Sequence, residues 1–355
     1  MPNYSVLALN LGSTSSKVAY FENNELITRD TITHDSDQLV KFKDFFDQQQ
    51  YRLETIKDFL KTNNIDRNEI DAIVCWGGHC SIKEGGIYHI NDKMLEEIKS
   101  CKYGHHPCDL GPFIVKELSN DHCLSLSIDP PTIDEFSSVA RYCGIKEIQR
   151  KSRMQTLNQK AVAKYHAKSV GKDYEQLNLI VCNLGGGFSI VVHQKGKMVD
   201  ANNGLDGDGP FSSNRAGTIP AGDLVDLCFS NKYSKEEVKS LLTGKGGLVS
   251  LLENGDTISI EKEINNGNKH YQEVYEAMIY NIAKQIGASA TVLKGDVDAI
   301  IVTGGLANSK YVISHLREYV GFISEMYVYP GELEMLSLGE SGYRALIGKE
   351  KIKEI

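Results

Sequence analysis

Two stretches of the chain share one hydrophobic rhythm. VLALNLGSTSSKVAYF (6–21) and LIVCNLGGGFSIVVHQKG (179–196) each run a short apolar segment into Asn-Leu-Gly, then resume an alternation of apolar and polar residues. Alternation at period two predicts strands, and the intervening glycines predict a tight turn, so each stretch reads as a hairpin. One copy lies in each half, which suggests a duplicated architecture.

The remaining pattern alternates between the two periods. Leu39, Phe42, Phe46, Leu53, Ile56 and Leu60 fall at largely helical spacing over 37–62. DAIVCW (71–76) predicts a buried strand ending in Gly77-Gly78, and short helices are expected in LEEIKS and LGPFIVKEL. LSLSIDPP (124–131) predicts a strand closed by prolines, followed by helices over 132–143 and 155–170. After the second hairpin comes a glycine-rich loop (204–224), then helices at 235–242 and 271–294. DAIIVTGGLANS (298–309) predicts a strand that again ends in a glycine pair. A helix, the strand MYVYP and a last helix over about 332–348 complete the chain. Strands and helices alternate in both halves, which predicts an α/β protein with a domain boundary near 171–178.

Composition narrows the function. The 355 residues suffice for two domains with separate cores, and 41% hydrophobic content is ordinary for a soluble protein. A net charge of −8 leaves no basic surplus for nucleic acid. No apolar run reaches the length of a membrane span, and MPNYSVLALNLG lacks a basic leader region, so a cytoplasmic protein is expected. The eight cysteines form no CxxC pair. Cys101, His105, His106 and Cys108 lie close in sequence, but their spacing matches no common structural zinc pattern, so reduced thiols are expected.

The hairpin turns carry candidate chemistry. In NLGSTSSK, Gly12 permits a tight turn, Ser13, Thr14 and Ser15 surround it with hydroxyls, and Lys17 adds a cation. Small residues let backbone N–H groups approach phosphate oxygens. Gly185, Gly186 and Gly187 leave room where side chains would obstruct a polyphosphate. VTGGLANS places Gly304, Gly305 and Asn308 where a strand meets a helix, and a base or ribose could lie against that backbone. Together these features predict a nucleotide held between the two halves. Other nucleotide motifs fail: TGKGGL lacks the spacing of a Walker loop, and no GxGxxG opens a βαβ unit. DGDG (206–209) imitates the start of a calcium loop, but the twelfth position is Gly217.

The order of these motifs resembles the acetate and sugar kinase, Hsc70 and actin superfamily. Within it the chain is similar to the butyrate kinases, acyl kinases related to acetate kinase. The resemblance is carried by NLGSTSSK, EGGIYHIN, LNQKAVA, NLIVCNLGGGFSI, ANNGLDGDGPFS, RAGTIPAGDLVDLCFS, GKGGLV, VDAIIVTGGLANSK and YPGELEM, in family order. It implies two ribonuclease-H-like (actin-like ATPase) domains with ATP and Mg²⁺ in an interdomain cleft, and a homodimer or higher homo-oligomer. The expected layout is an acyl-substrate-side domain over 1–175, a nucleotide-side domain over 176–331, and a C-terminal helix (332–355) returning to the first. The implied reaction reversibly transfers the γ-phosphoryl group of ATP to the carboxylate of a short-chain fatty acid. Because the nucleophile is already an anion at neutral pH, cations, polar donors and Mg²⁺ carry the catalysis rather than a base.

The resemblance also implies roles. Asn10, Gly12, Ser13, Ser15 and Lys17 match the first phosphate hairpin. Asp129 matches the acid beside metal and substrate, and otherwise reads as a strand-end turn former. Arg215 matches the transition-state arginine, and otherwise reads as a loop arginine paired with Asp206 or Asp208. His106 matches a phosphoryl-site histidine, and Glu334 a Mg²⁺-associated glutamate. Two positions depart. Butyrate kinases usually carry arginine where this chain has its only tryptophan, Trp76, and a catalytic histidine where it has Gln155. The alternative reading is therefore an ATP-binding paralogue with weak or no acyl kinase activity.

Overall fold

The structure is a computed structural model describing residues 3–204 and 207–355. Six strands open the chain: β1 Ser5–Leu11, β2 Ser15–Glu22, β3 Glu25–Thr33, β4 Ala72–Trp76, β5 Ile87–His89 and β6 Leu124–Ile128. A second sheet contains β7 Asn178–Leu184, β8 Phe188–Gln194, β9 Lys197–Ala201, β10 Ala299–Gly304 and β11 Met326–Pro330. Finally β12, Ile352–Lys353, joins the edge of the first sheet. The chain divides into two compact units, Met1–Asp134 with Leu333–Ile355, and Glu135–Glu332.

Each unit is built on the same five-strand scheme. The first sheet contains the order β6-β4-β1-β2-β3, the second is β11-β10-β7-β8-β9. In both, the first three strands form an antiparallel meander, and two later strands add in parallel to the first. Such parallel strands are reached through crossover helices. In the first unit, helices Gln49–Thr62 and Leu110–Leu118 bury Leu53, Ile56, Ile114 and Val115 with Leu7, Leu9 and Ile73 of the sheet. Helix Glu334–Leu346 packs against β1, β2 and β4. In the second unit, Tyr275, Met278 and Ile282 of helix Lys269–Val292 share a core with Ile180, Ile190 and Ile300.

Three features differ from the sequence expectations. The segment 37–62 is a short helix Ser36–Leu39, a 3-10 turn Phe45–Gln48 and helix Gln49–Thr62; Asp35 and Asp44 cap new starts and interrupt one continuous helix. Residues 132–143 form only a 3-10 turn at Val139–Arg141. Their amides go elsewhere: Asp134 N–H donates to the Lys83 carbonyl and Ser137 N–H to Val199. Residues 135–175 group with the second unit, upstream of the break at 171–178. Helix Thr156–Ser169 buries Leu157, Ala161 and Val162 and packs on β7 and β10. Glu135 bonds Lys160 Nζ at 2.9 Å and the Met198 amide at 2.8 Å.

Candidate active site

In the first unit the site grows from the carboxyl ends of β1, β4 and β6, the edge where parallel sheets usually bind ligands. Asn10 is opposite Lys17 across β1–β2, and next to Trp76 across β1–β4. Its Nδ2 donates to Glu334 Oε2 at 2.6 Å, and Lys17 Nζ lies 3.8 Å from the same oxygen. Glu334 starts its helix and is buried. Asp129 follows β6, fully buried, with a left-handed φ of 42°. Its Oδ1 accepts from the Gly86 amide at 2.8 Å, and Trp76 Nε1 donates to its carbonyl at 3.1 Å. The β4 exit needs glycine, because a Cβ on Gly77 would sit 2.1 Å from the Cys108 carbonyl oxygen. The fold thus gathers Asn10, Lys17, Trp76, Asp129 and Glu334.

The turn after β1 is equally ordered. Gly12 N–H donates to the Ser15 carbonyl at 2.8 Å, and His34 N–H to Thr14 at 2.8 Å. Ser13 and Thr14 are exposed. Beneath them, Ser16 Oγ meets His34 Nε2 at 2.7 Å. Burial and the nearby Arg52 charge lower the His34 pKa to about 4, so it stays neutral.

His106 begins the turn Pro107–Asp109. Its N–H donates to Asp109 Oδ2 at 3.1 Å, and its Nδ1 accepts from the Cys108 amide at 3.2 Å. An accepting Nδ1 places the proton of the neutral ring on Nε2, which makes His106 a hydrogen-bond donor. Burial chiefly lowers its pKa, with His79 and Arg52 adding to the shift and Asp109 opposing it. Asp109 is buried and takes His79 Nδ1 at 2.9 Å, together with the amides of Gly78 and His79. These bonds outweigh its burial and hold its pKa low. The four residues considered for zinc form no metal-type group among the described residues: Cys101 Sγ meets His105 Nδ1 at 3.2 Å and the Lys99 carbonyl at 3.7 Å. Among the described residues, the close metal-type group is His79, Cys108 and Asp109. All eight cysteines are free.

In the second unit, Gly185 and Gly186 join β7 to β8 with open space where a Cβ would stand. Ser212 Oγ donates to the Gly186 carbonyl at 2.6 Å. Arg215 lies along Gly187, where a Cβ would stand 3.6 Å from its Nε. Its Nη1 donates to the Thr243 carbonyl at 2.6 Å, while Nε is buried with no partner among the described residues. Asp208 accepts from the Asn203 amide instead, and Asp206 lies outside the described residues. Gly304, at φ 90°, would drive a Cβ to 2.7 Å from Leu184 backbone, so only glycine lets β10 end against β7. Gly305 and Asn308 bound the following turn, with Asn308 Nδ2 donating to the Gly305 carbonyl at 3.0 Å. Gly185–Gly187, Arg215, Gly304 and Gly305 thus share one sheet end. Gln155 is an exposed residue at the start of helix Thr156–Ser169 and caps nothing.

A sequence model of the Acetokinase family matches residues 146–353. The chain is also 42% identical over 352 residues to a probable butyrate kinase of Clostridium botulinum strain Alaska E43, covering 99% of both chains. The chain belongs to the acetokinase family. A second probable butyrate kinase, from C. botulinum strain Eklund 17B, has the same identity and coverage. Among solved structures, Porphyromonas gingivalis acetate kinase is similar with TM-score 0.78 and 18% identity, covering 95% of this chain and 98% of its own. A propionate kinase from Francisella tularensis gives 0.75 and 19% over the same shares. The acetokinase fold is therefore shown, mixed α/β with two sheets. Membership also makes the chain a phosphotransferase with a carboxyl group as acceptor. No described helix is long and apolar enough to cross a membrane.

Sequence reasoning missed Arg52 and Asp109. Arg52 had a signal: it sits within the buried stripe of Leu53, Ile56, Phe59 and Leu60, where a cation is out of place. Asp109, 30 residues from its partner His79, had none.

Proposed function

We propose that this acetokinase is a butyrate-kinase-type enzyme, transferring the γ-phosphoryl group of ATP reversibly to the carboxylate of a short-chain fatty acid. The observation that carries the reading is the convergence of Asn10, Lys17, Asp129 and Glu334 on one strand edge beside an outward-facing turn. Full-length similarity to probable butyrate kinases supports the acceptor class.

The donors suit the implied partners. Asp129 and Glu334 offer hard carboxylate oxygens, each oriented by an amide donor. Mg²⁺ favours such a set, one or two carboxylates with its remaining positions left to water and phosphate oxygens. When bound, it neutralises phosphate charge. Lys17 and Arg215 stabilise charge on the transferring group, and His106 donates Nε2–H to a phosphoryl oxygen. The Arg215 Nε–H, buried with no partner among the described residues, has the chemistry to meet an anion. No general base is required, because the acceptor is ionised. Trp76 supplies no charge; its indole shapes the acyl side, and its N–H steadies Asp129.

The test is hydroxamate formation from Mg-ATP, hydroxylamine and linear or branched acids from acetate to hexanoate. Signal centred on butyrate and its neighbours in length is expected; silence across the panel would overturn the reading. Light scattering tests the homodimer or higher homo-oligomer that the resemblance implies.

A further inference from the structure

The Arg52 guanidinium is fully enclosed, yet every partner it has among the described residues is neutral. Nε and Nη2 donate to Gln48 Oε1 at 3.0 and 2.9 Å. Nη1 reaches the carbonyls of Gly12 and Ser15 at 2.9 and 3.3 Å and Ser16 Oγ at 3.3 Å. Nη2 also reaches the Ser13 carbonyl at 3.1 Å. Among the described residues no carboxylate touches it. A buried charge without a counter-ion is expensive, and Arg is the side chain least able to lose its proton. Even so, burial lowers its pKa to about 10.

The turn above it is polarised. The carbonyls of Gly12, Ser13, Thr14 and Ser15 are all engaged, by Arg52, by the His34 amide or by the Gly12 amide. The amides of Ser13 and Thr14 donate to nothing among the described residues, and both residues are exposed. With the carbonyls occupied from within, the amides of these two exposed residues are available to an anion. The charge behind them has the matching sign.

We propose that Arg52 is a positioning residue for a polyphosphate bound on the 12–15 turn. It fixes the turn carbonyls so that the Ser13 and Thr14 amides stay available, and the bound polyphosphate is the counter-charge it lacks. Its physiological form as ATP rests on the kinase reading above; the binding itself does not.

The test is calorimetric titration of the full chain with inorganic tripolyphosphate and, separately, with adenosine, in low and moderate salt. Wild type binds tripolyphosphate. Arg52→Gln, with folding checked by circular dichroism and urea melting, weakens that binding by about tenfold or more and flattens its salt dependence. Adenosine affinity stays unchanged, which a general folding defect would not allow. Arg52→Lys falls in between, because it keeps the charge and loses the planar fork. A folded Arg52→Gln with wild-type tripolyphosphate affinity overturns the proposal, as does a wild type that does not bind tripolyphosphate. Should Arg52→Gln fail to fold, Arg52→Lys decides: unchanged affinity overturns it, weakened affinity supports it. Arg52-dependent binding without acyl phosphate formation would remove the kinase reading and leave the role of Arg52 standing.

Discussion

The two hairpins share a strand scheme and differ in how charge reaches the turn. In the first unit, the residue opposite Asn10 is Lys17, and a buried arginine braces the turn from below. In the second, Asn183 is opposite Ser189, so the strand position that carries a cation in one hairpin carries a hydroxyl in the other. There the cation comes from a loop, Arg215, laid along Gly187. The turns themselves follow suit, one of serines and threonine over occupied carbonyls, the other of glycines with open space. A duplicated framework thus repeats the strand scheme, while separate residues set the charge at each turn. Asp129 and Glu334, the acids proposed above for Mg²⁺, both belong to the first unit.

This contrast can be broken experimentally. The largest expected effect is from Arg215→Ala, which removes the charge beside the glycine turn and should lower kcat by about 10³-fold or more. Lys17→Ala should cost about 10²-fold in the same hydroxamate assay. Near-wild-type turnover in both variants would refute the division of labour. Gly186→Ala sharpens the comparison, because a Cβ there meets no protein atom. If the glycines make room for phosphate, KM for ATP rises about tenfold while the melting temperature holds. A lower melting temperature with unchanged KM would make the glycines structural instead.

The smallest effect concerns acid. His193 in β8 is fully buried, with Tyr174 OH 2.7 Å from Nδ1 and Gln159 Oε1 3.1 Å from Nε2. Burial, helped by Lys160, lowers its pKa to about 3. The unfolded chain therefore binds more protons below about pH 6.5, and stability present above that value is lost as pH falls toward the folded pKa. The loss is at most about 1.4 kcal/mol per pH unit for this group. His34 adds a change of the same sign in the first unit. The urea midpoint should fall between about pH 7 and pH 5; a flat profile would contradict neutral burial of these rings.

Much of the framework was legible locally. Period-two alternation and glycine turns marked both hairpins, and apolar runs marked β4, β6, β10 and β11. The same short-range logic failed at 132–143. Ile133, Phe136 and Ala140 are buried at helix-like spacing, but the amides of Asp134 and Ser137 bond to other segments. Periodicity reports which residues are buried, and cannot say where backbone hydrogen bonds go.

The sequence by itself determined the strand-turn-strand repeats, the glycines at strand ends and the polar turn after β1, because steric freedom and alternation are properties of neighbours in the chain. Only the tertiary structure decided that Glu334 would meet Asn10 across 324 residues, that Arg52 would lie under a turn 40 residues upstream, and that His79 would pair with Asp109. Those contacts depend on which helix face packs against which strand end. That choice is settled by burial summed over whole elements, which no short window of sequence contains.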